Sequence, residues 1–277
     1  MGGGGETMRA AFVLTLLLLA ATASARELRV CADPNNLPYS NDRDEGFENR
    51  IIALLAKDLG ADVRYSWWAQ RRGFLRNTLL ANHCDVVAGV ASSMGMLGTT
   101  DPYYRSSYVF VSRADRHLDV RSLDDPRLKQ WTIGVQLVGD DGANTPPAHA
   151  LARRGIAQNV RGYTVYGDYA RTAPQSQVIE AVARGEVDVA IVWGPTAGYF
   201  ARKQPVQLTL TPVTPWLDGP LWPMVFDTSM GVRKEDRALR RELNTALQRH
   251  AIEIAAILDE YHVPRVEADG DRVSTAP

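Results

Sequence analysis

The sequence predicts a two-lobed α/β protein with a hinge between the lobes, and three observations carry that expectation. From Leu28 to Val90, short strand-like apolar runs alternate with segments whose apolar residues recur at helical spacing. After a polar stretch the same alternation restarts. Beyond the second unit enough chain remains to return to the first. Buried strands alternating with amphipathic helices give a parallel sheet covered on both faces. Two such units crossed twice by the chain leave a cleft at the carboxyl ends of their strands, where ligands of open α/β sheets lie.

The elements follow in order. Arg9, the apolar run Ala10 to Ala21 and the small residues Ala23-Ser24-Ala25 form a basic, apolar and cleavable sequence, expected as a secretory signal over residues 1–25. The run is shorter than the about 20 residues a membrane span needs, so the mature chain is expected outside the cytoplasm without stable membrane insertion. Leu28–Ala32 reads as a strand, Asp33-Pro34-Asn35-Asn36 as a turn, and Phe47 to Leu59 as a helix stopped by Gly60. Val63–Trp67 is a second strand, Phe74, Leu75, Leu79 and Leu80 a helical face, and Asp85–Val90 a buried strand. With the strand Tyr108–Ser112 these make the first part of lobe 1, residues 26–112.

Polar Arg113–Asp125 has the composition of a passage between lobes. Lobe 2, residues 113–213, then reads as strand Trp131–Leu137, helix Ala148–Arg154, strand Tyr163–Tyr166, helix Ser176–Arg184 and strand Val187–Trp193, closing with Leu208–Val213. Residues 214–265 are expected to return to lobe 1 through Met224–Phe226 and Met230–Val232 and to end in one long helix. Leu239, Leu243, Leu247, Ile254 and Leu258 would form its stripe, with Asp236 near its start. Residues 266–277 are a tail.

Charge and chemistry narrow the function. Thirty-one basic and 32 acidic residues balance, which argues against a nucleic-acid binder. The five histidines are scattered without paired metal spacing, Asp140-Asp141 lacks the further carboxylates of a calcium loop, and no G-x-S-x-G elbow occurs. Neither an enzyme nor a metal or cofactor site is expected. Two cysteines, Cys31 and Cys84, read as one disulfide in an oxidising compartment, with two buried thiols as the alternative. Because Cys31 ends one strand and Cys84 precedes the neighbouring one, the expectation is a bridge.

Gly185-Glu186-Val187-Asp188-Val189-Ala190-Ile191-Val192-Trp193, Asp101-Pro102-Tyr103-Tyr104, Gly46-Phe47-Glu48 and Pro38-Tyr39 resemble, in their order, the polar-amino-acid type (family 3) of solute-binding proteins of ABC importers. The resemblance implies the type II periplasmic binding protein fold, two α/β lobes on a two-strand hinge. It also implies two charged clamps for a free amino acid, and both are missing here. Ala91–Gly98 has no Arg for the carboxylate, and Trp193 stands where an acid would meet the amino group. A bidentate Arg–carboxylate contact in a dry cleft has no neutral equivalent, so free amino acids are poor candidates.

Longer blocks are more specific. Cys31-Ala32-Asp33-Pro34-Asn35-Asn36-Leu37-Pro38-Tyr39-Ser40, Gln70-Arg71-Arg72-Gly73-Phe74, Cys84-Asp85-Val86-Val87, Pro102-Tyr103-Tyr104-Arg105-Ser106 and the run from Gly134 to Pro147 look like the quinoprotein-dehydrogenase-associated branch, which includes the J-type accessory proteins of bacterial methanol oxidation clusters. That resemblance implies a periplasmic partner of a PQQ-dependent alcohol (methanol) dehydrogenase, with its cytochrome c as an additional contact, assisting maturation or activation. An importer receptor for an uncharged or aromatic solute is the alternative. Candidate cleft or partner-binding residues are Tyr39, Trp68, Tyr103, Tyr104, Trp193, Trp216 and Trp222, together with Arg72 of the Arg71, Arg72, Arg76 cluster. The bland reading makes the aromatics packing and the arginines a solvated face. Partner interfaces concentrate their energy on such aromatic and Arg anchors.

Overall fold

The computed structural model describes residues 26–138, 144–164, 169–266 and 273–274. The expected leader and Asp140-Asp141 lie outside these residues. The first strand, β1 (Arg26–Ala32), runs into a two-residue ribbon, β2 (Asn35–Asn36) and β3 (Ser40–Asn41). Helix α1 (Phe47–Asp58) follows and stops where Gly60 takes φ +60°, the left-handed conformation that ends helices on glycine. Next come β4 (Ala61–Trp67), α2 (Phe74–Asn77), β5 (Val86–Ala91), β6 (Gly98–Thr99) and β7 (Tyr104–Arg113). The helical face expected through Leu80 shrinks to the single turn α2. The Thr78 hydroxyl donates to the Phe74 carbonyl at 2.6 Å, competing with helix continuation, and the chain turns Leu79 into the core while Leu80 stays exposed.

The second unit contains β8 (Ile133–Leu137), α3 (Pro146–Arg153), β9 (Val160–Thr164), α4 (Gln177–Ala183), β10 (Val189–Trp193), α5 (Gly194–Ala201) and β11 (Leu208–Pro212). Helix α5 is absent from the sequence-based expectation. A small hairpin, β12 (Leu217–Asp218) and β13 (Trp222–Pro223), leads to β14 (Val225–Val232). Helices α6 (Arg237–Arg249) and α7 (Ala251–Glu260) and the ribbon β15 (Arg265–Val266) with β16 (Val273–Ser274) complete the chain. The single terminal helix is thus two, broken at His250 (φ −102°, ψ 21°). The predicted stripe survives the break, with Leu243, Leu247, Ile254 and Leu258 all buried in one core. Asp236 begins α6 but offers it no side-chain cap, pairing with Arg233 at 2.6 Å instead.

One ten-stranded sheet runs through both lobes in the order β4-β1-β5-β14-β7-β10-β8-β9, with β11 also on β7 and β6 on β14. Lobe 1 is parallel at β4-β1-β5 and wraps around Phe47, Ile51, Ile52 and Leu55 of α1. In lobe 2, Val178, Ile179 and Val182 of α4 pack on one side of the sheet, and Leu151 of α3 packs with Ile133, Val189 and Ile191 on the other. Strand β7 belongs to both lobes: Tyr104–Ser107 pair with β14, whereas Tyr108–Ser112 pair with β10. Return to lobe 1 comes at Met224–Val225, with Met224 buried in the second lobe and Val225 opposite Ser107. The outward crossing therefore lies inside β7, and the return lies at the start of β14. Arg113–Asp125, expected as the passage, instead packs Val120 and Leu123 into lobe 2.

Cys31 and Cys84 form a disulfide with Cα atoms 5.5 Å apart, joining the end of β1 to the start of its neighbour β5. No helix among the described residues is long and apolar enough to cross a membrane.

Candidate functional site in the inter-lobe cleft

Between the lobes lies a cleft of about 630 Å³, within the size range of small-ligand sites. Lobe 1 contributes Asp33, Tyr39, Glu48, Arg71 and Arg76, the hinge strands Tyr104, Tyr108, Phe226 and Thr228, and lobe 2 Gln136, Gln175, Trp193 and Thr196.

The Gly46-Phe47-Glu48-Asn49 block explains itself residue by residue. A Cβ on Gly46 would stand 1.9 Å from the Tyr39 carbonyl oxygen, so only glycine lets the loop close on the helix. Phe47 fills the core, meeting Tyr39 at 5.4 Å and Tyr104 at 6.0 Å between ring centroids. The side-chain Oδ1 of Asn49 accepts from the backbone amides of Asn41 and Gly46, stitching the loop to α1. Glu48, between them, faces the cleft.

Glu48 lies flush on Gly89 of β5, where a Cβ would be 2.1 Å from its Oε1. Burial alone pushes its carboxyl from 4.5 up to about 8, because the charged form loses its water without gaining a partner. Burial first, and then the negative charge of Glu48 and neighbouring tyrosines, raises the Tyr103 hydroxyl well above its ordinary value. Tyr39 and Tyr104 are raised too, again chiefly by burial.

Across from Glu48, Trp193 packs edge-on against Tyr108 at 5.3 Å and Phe226 at 5.7 Å. The lobes touch at the cleft's floor and rim. Tyr39 and Thr196 hydroxyls are 2.9 Å apart. At the rim the Tyr169 hydroxyl donates to Asp33 Oδ2 at 2.5 Å, Asn35 donates to the Arg171 carbonyl at 2.8 Å, and the Arg71 guanidinium lies 5.2 Å from the Tyr169 ring centre. Backbone amides of Asn35 and Gln70 also donate to Asp33.

Of the residues singled out in the sequence, Tyr39, Tyr104 and Trp193 meet in this cleft. Tyr103 sits behind it, its hydroxyl donating to the Ala88 carbonyl at 3.0 Å. Trp68, Arg72, Trp216 and Trp222 lie outside the lining. Trp68 is 48% exposed on the surface, Arg72 is exposed beside the cleft-lining Arg71, and Trp222 stacks on His149 at 4.0 Å in lobe 2. Sequence reading missed Tyr108, Phe226, Thr196 and the rim residue Tyr169, which carry no local motif.

The segment aligned with the missing carboxylate clamp is occupied by uncharged groups: Ser92 bonds Ser229 at 2.6 Å, and Met94 and Met96 face the cleft. The model for bacterial extracellular solute-binding proteins, family 3, matches residues 28–263. The chain belongs to this family. Among its relatives, the protein MoxJ of Methylorubrum extorquens (strain AM1) is 36% identical over 257 residues, which is 88% of this chain and 83% of that one. The crystal structure of the periplasmic binding protein XoxJ from Methylobacterium extorquens AM1 superposes with a TM-score of 0.70 at 38% identity, covering 87% of this chain and 99% of that one. The crystal structure of MxaJ from Methlophaga aminisulfidivorans MPT gives a TM-score of 0.72 at 27% identity, covering 86% and 100%. The fold is the type II periplasmic binding protein fold, with its curled sheet shared between lobes.

Proposed function

We propose that this chain is a periplasmic accessory protein that docks to a PQQ-dependent alcohol (methanol) dehydrogenase, with its cytochrome c as an additional contact, and assists its maturation or activation. The observation that carries this reading is the likeness to MoxJ over nearly the whole chain, joined to the J-type blocks in the sequence. The cleft supports it, because no Arg stands in Ala91–Gly98 and Trp193 occupies the far wall. The role is binding rather than catalysis. Contact is made through the cleft rim and its aromatic lining, with Tyr39, Tyr104 and Trp193 inside and Arg72 beside it. Trp68 carries the same chemistry onto the outer surface, and Trp216 and Trp222 offer half-buried rings. The importer-receptor reading, for an uncharged or aromatic solute, keeps one observation in its favour: the cleft has the volume of a small-ligand site.

Surface-plasmon binding to the co-encoded dehydrogenase, in apo and cofactor-loaded forms, decides between them. A complex that Trp193→Ala weakens about tenfold or more is expected. No complex at tens of micromolar, or a Trp193→Ala variant that loses thermal stability but keeps full affinity, refutes docking through this wall.

A further inference from the structure

Among the described residues, two carboxylates line the cleft, Asp33 and Glu48. Asp33 is committed to the protein: its oxygens accept from the amides of Asn35 and Gln70 and from the Tyr169 hydroxyl. Glu48 accepts no hydrogen bond and pairs with no basic side chain among the described residues, and burial is the only influence on its acidity. Glu48 is half-buried in the cleft wall; a carboxylate partly withdrawn from water without a partner is costly, and a chain that carries one in a ligand-sized cavity has left its partner to come from outside.

The rings around it narrow the partner. Tyr39 commits its hydroxyl to Thr196 and Tyr103 commits its own to Ala88. Tyr104, Tyr108, Phe226 and the Trp193 indole add further aromatic surface to the same cleft. What remains on offer is π surface beside an unpaired carboxylate, a combination that attracts cations. We infer that the cleft floor is a site for a small free organic cation, an alkylammonium ion held by Glu48 and the surrounding aromatic rings. Contacts from Tyr169 to Asp33 and from Asn35 to the Arg171 carbonyl narrow the rim, so the floor suits a small free solute, while a docking partner meets the rim and the walls above it. This inference goes beyond the docking reading and stands without it.

Facing Glu48 are Tyr39 from the loop before α1, Tyr65 from β4, Tyr103 just before β7, Tyr104 at its start, and Gly89 from β5. Among the described residues, Arg71, Arg76 and Asp33 are the charged groups elsewhere along the cleft. Since Glu48 holds its proton at neutral pH, a bound cation must expel it.

Titration calorimetry of the purified protein at pH 7 tests this with choline, tetramethylammonium and butylammonium against 3,3-dimethylbutan-1-ol, the uncharged isostere of choline, in phosphate and in Tris. At least one cation is expected to bind about tenfold or more tightly than the isostere, with an apparent enthalpy that differs between buffers because a proton is released. Glu48→Gln should abolish the buffer difference and weaken binding by a similar factor. Gly89→Ala should weaken binding by displacing the carboxylate while the thermal midpoint holds. No heat from any cation at about 10 mM, an isostere that binds equally, or cation binding without proton release in the unaltered protein overturns the site. The last readout stands even if Glu48→Gln fails to fold. N-acetyl-lysine methylamide binding about tenfold more tightly than butylammonium overturns the free-solute assignment in favour of a partner's lysine.

Discussion

Glu48 should leave a mark on stability that pH reveals. Its carboxyl titrates at about 8 in the folded chain, against 4.5 ordinarily, so between those values the native state holds a proton that the unfolded state has released. Unfolding stability then falls as pH rises through this window, because the unfolded state binds fewer protons. The limiting slope is about 1.4 kcal/mol per pH unit. Integrated from pH 5 to pH 7, Glu48 alone would remove about 2.5 kcal/mol. Glu48 is half-buried, so solvent entering the cleft screens part of this, and about 2.5 kcal/mol is the upper limit of the effect. Glu48→Gln deletes the titration without changing the volume. Urea unfolding of both proteins at half-unit intervals should therefore show the variant gaining on the parent as pH rises, at unchanged m-value. Parallel pH profiles for the two proteins would refute an unpartnered, buried Glu48.

Two further outcomes are expected. Replacing Cys31 and Cys84 with alanine should cost about 4 kcal/mol of unfolding free energy on the chain-entropy model, given their separation of 53 residues. Denaturant titration measures the loss, and an unchanged midpoint would contradict it. No common free amino acid should bind more tightly than about 10 μM, roughly −7 kcal/mol, since the segment 91–98 offers no Arg; calorimetry across the standard set checks this.

Much of the fold was legible because local pattern and tertiary fate coincide. The apolar run Val86–Val90 is a buried strand whichever neighbours it has, and the helical stripe before Gly60 needs only a core to face. The disulfide was readable because the order of strands brings Cys31 beside Cys84. Helix α5 was not readable: Gly194, Pro195, Thr196, Ala197, Gly198 and Phe200 are all buried, so no polar face marks a period. Only Pro195 in its first turn hinted at a helix start. Its glycines answer to packing, since a Cβ on Gly198 would meet the His262 carbonyl oxygen at 1.9 Å. In the site, a sequence shows that Trp193 ends a strand but cannot show that Trp222 stacks on His149 instead. In the sequence Glu48 stood only as the third residue of the Gly46-Phe47-Glu48 block. Only the close approach of Gly89 and the cleft beyond reveal its isolation.

The place of β14 in the sheet sets an order of assembly. It lies between β5 and β7, and its contacts reach back across the molecule, Ser229 meeting Ser92 from 137 residues away. Lobe 2 draws its strands from one continuous stretch and can close early. Lobe 1 must wait, with one edge of β5 and one of β7 unpaired, until the chain's last long strand arrives. Such distant pairing is slow, and open edges invite wrong partners meanwhile. A chain delivered from its N-terminus therefore finishes its second lobe before its first.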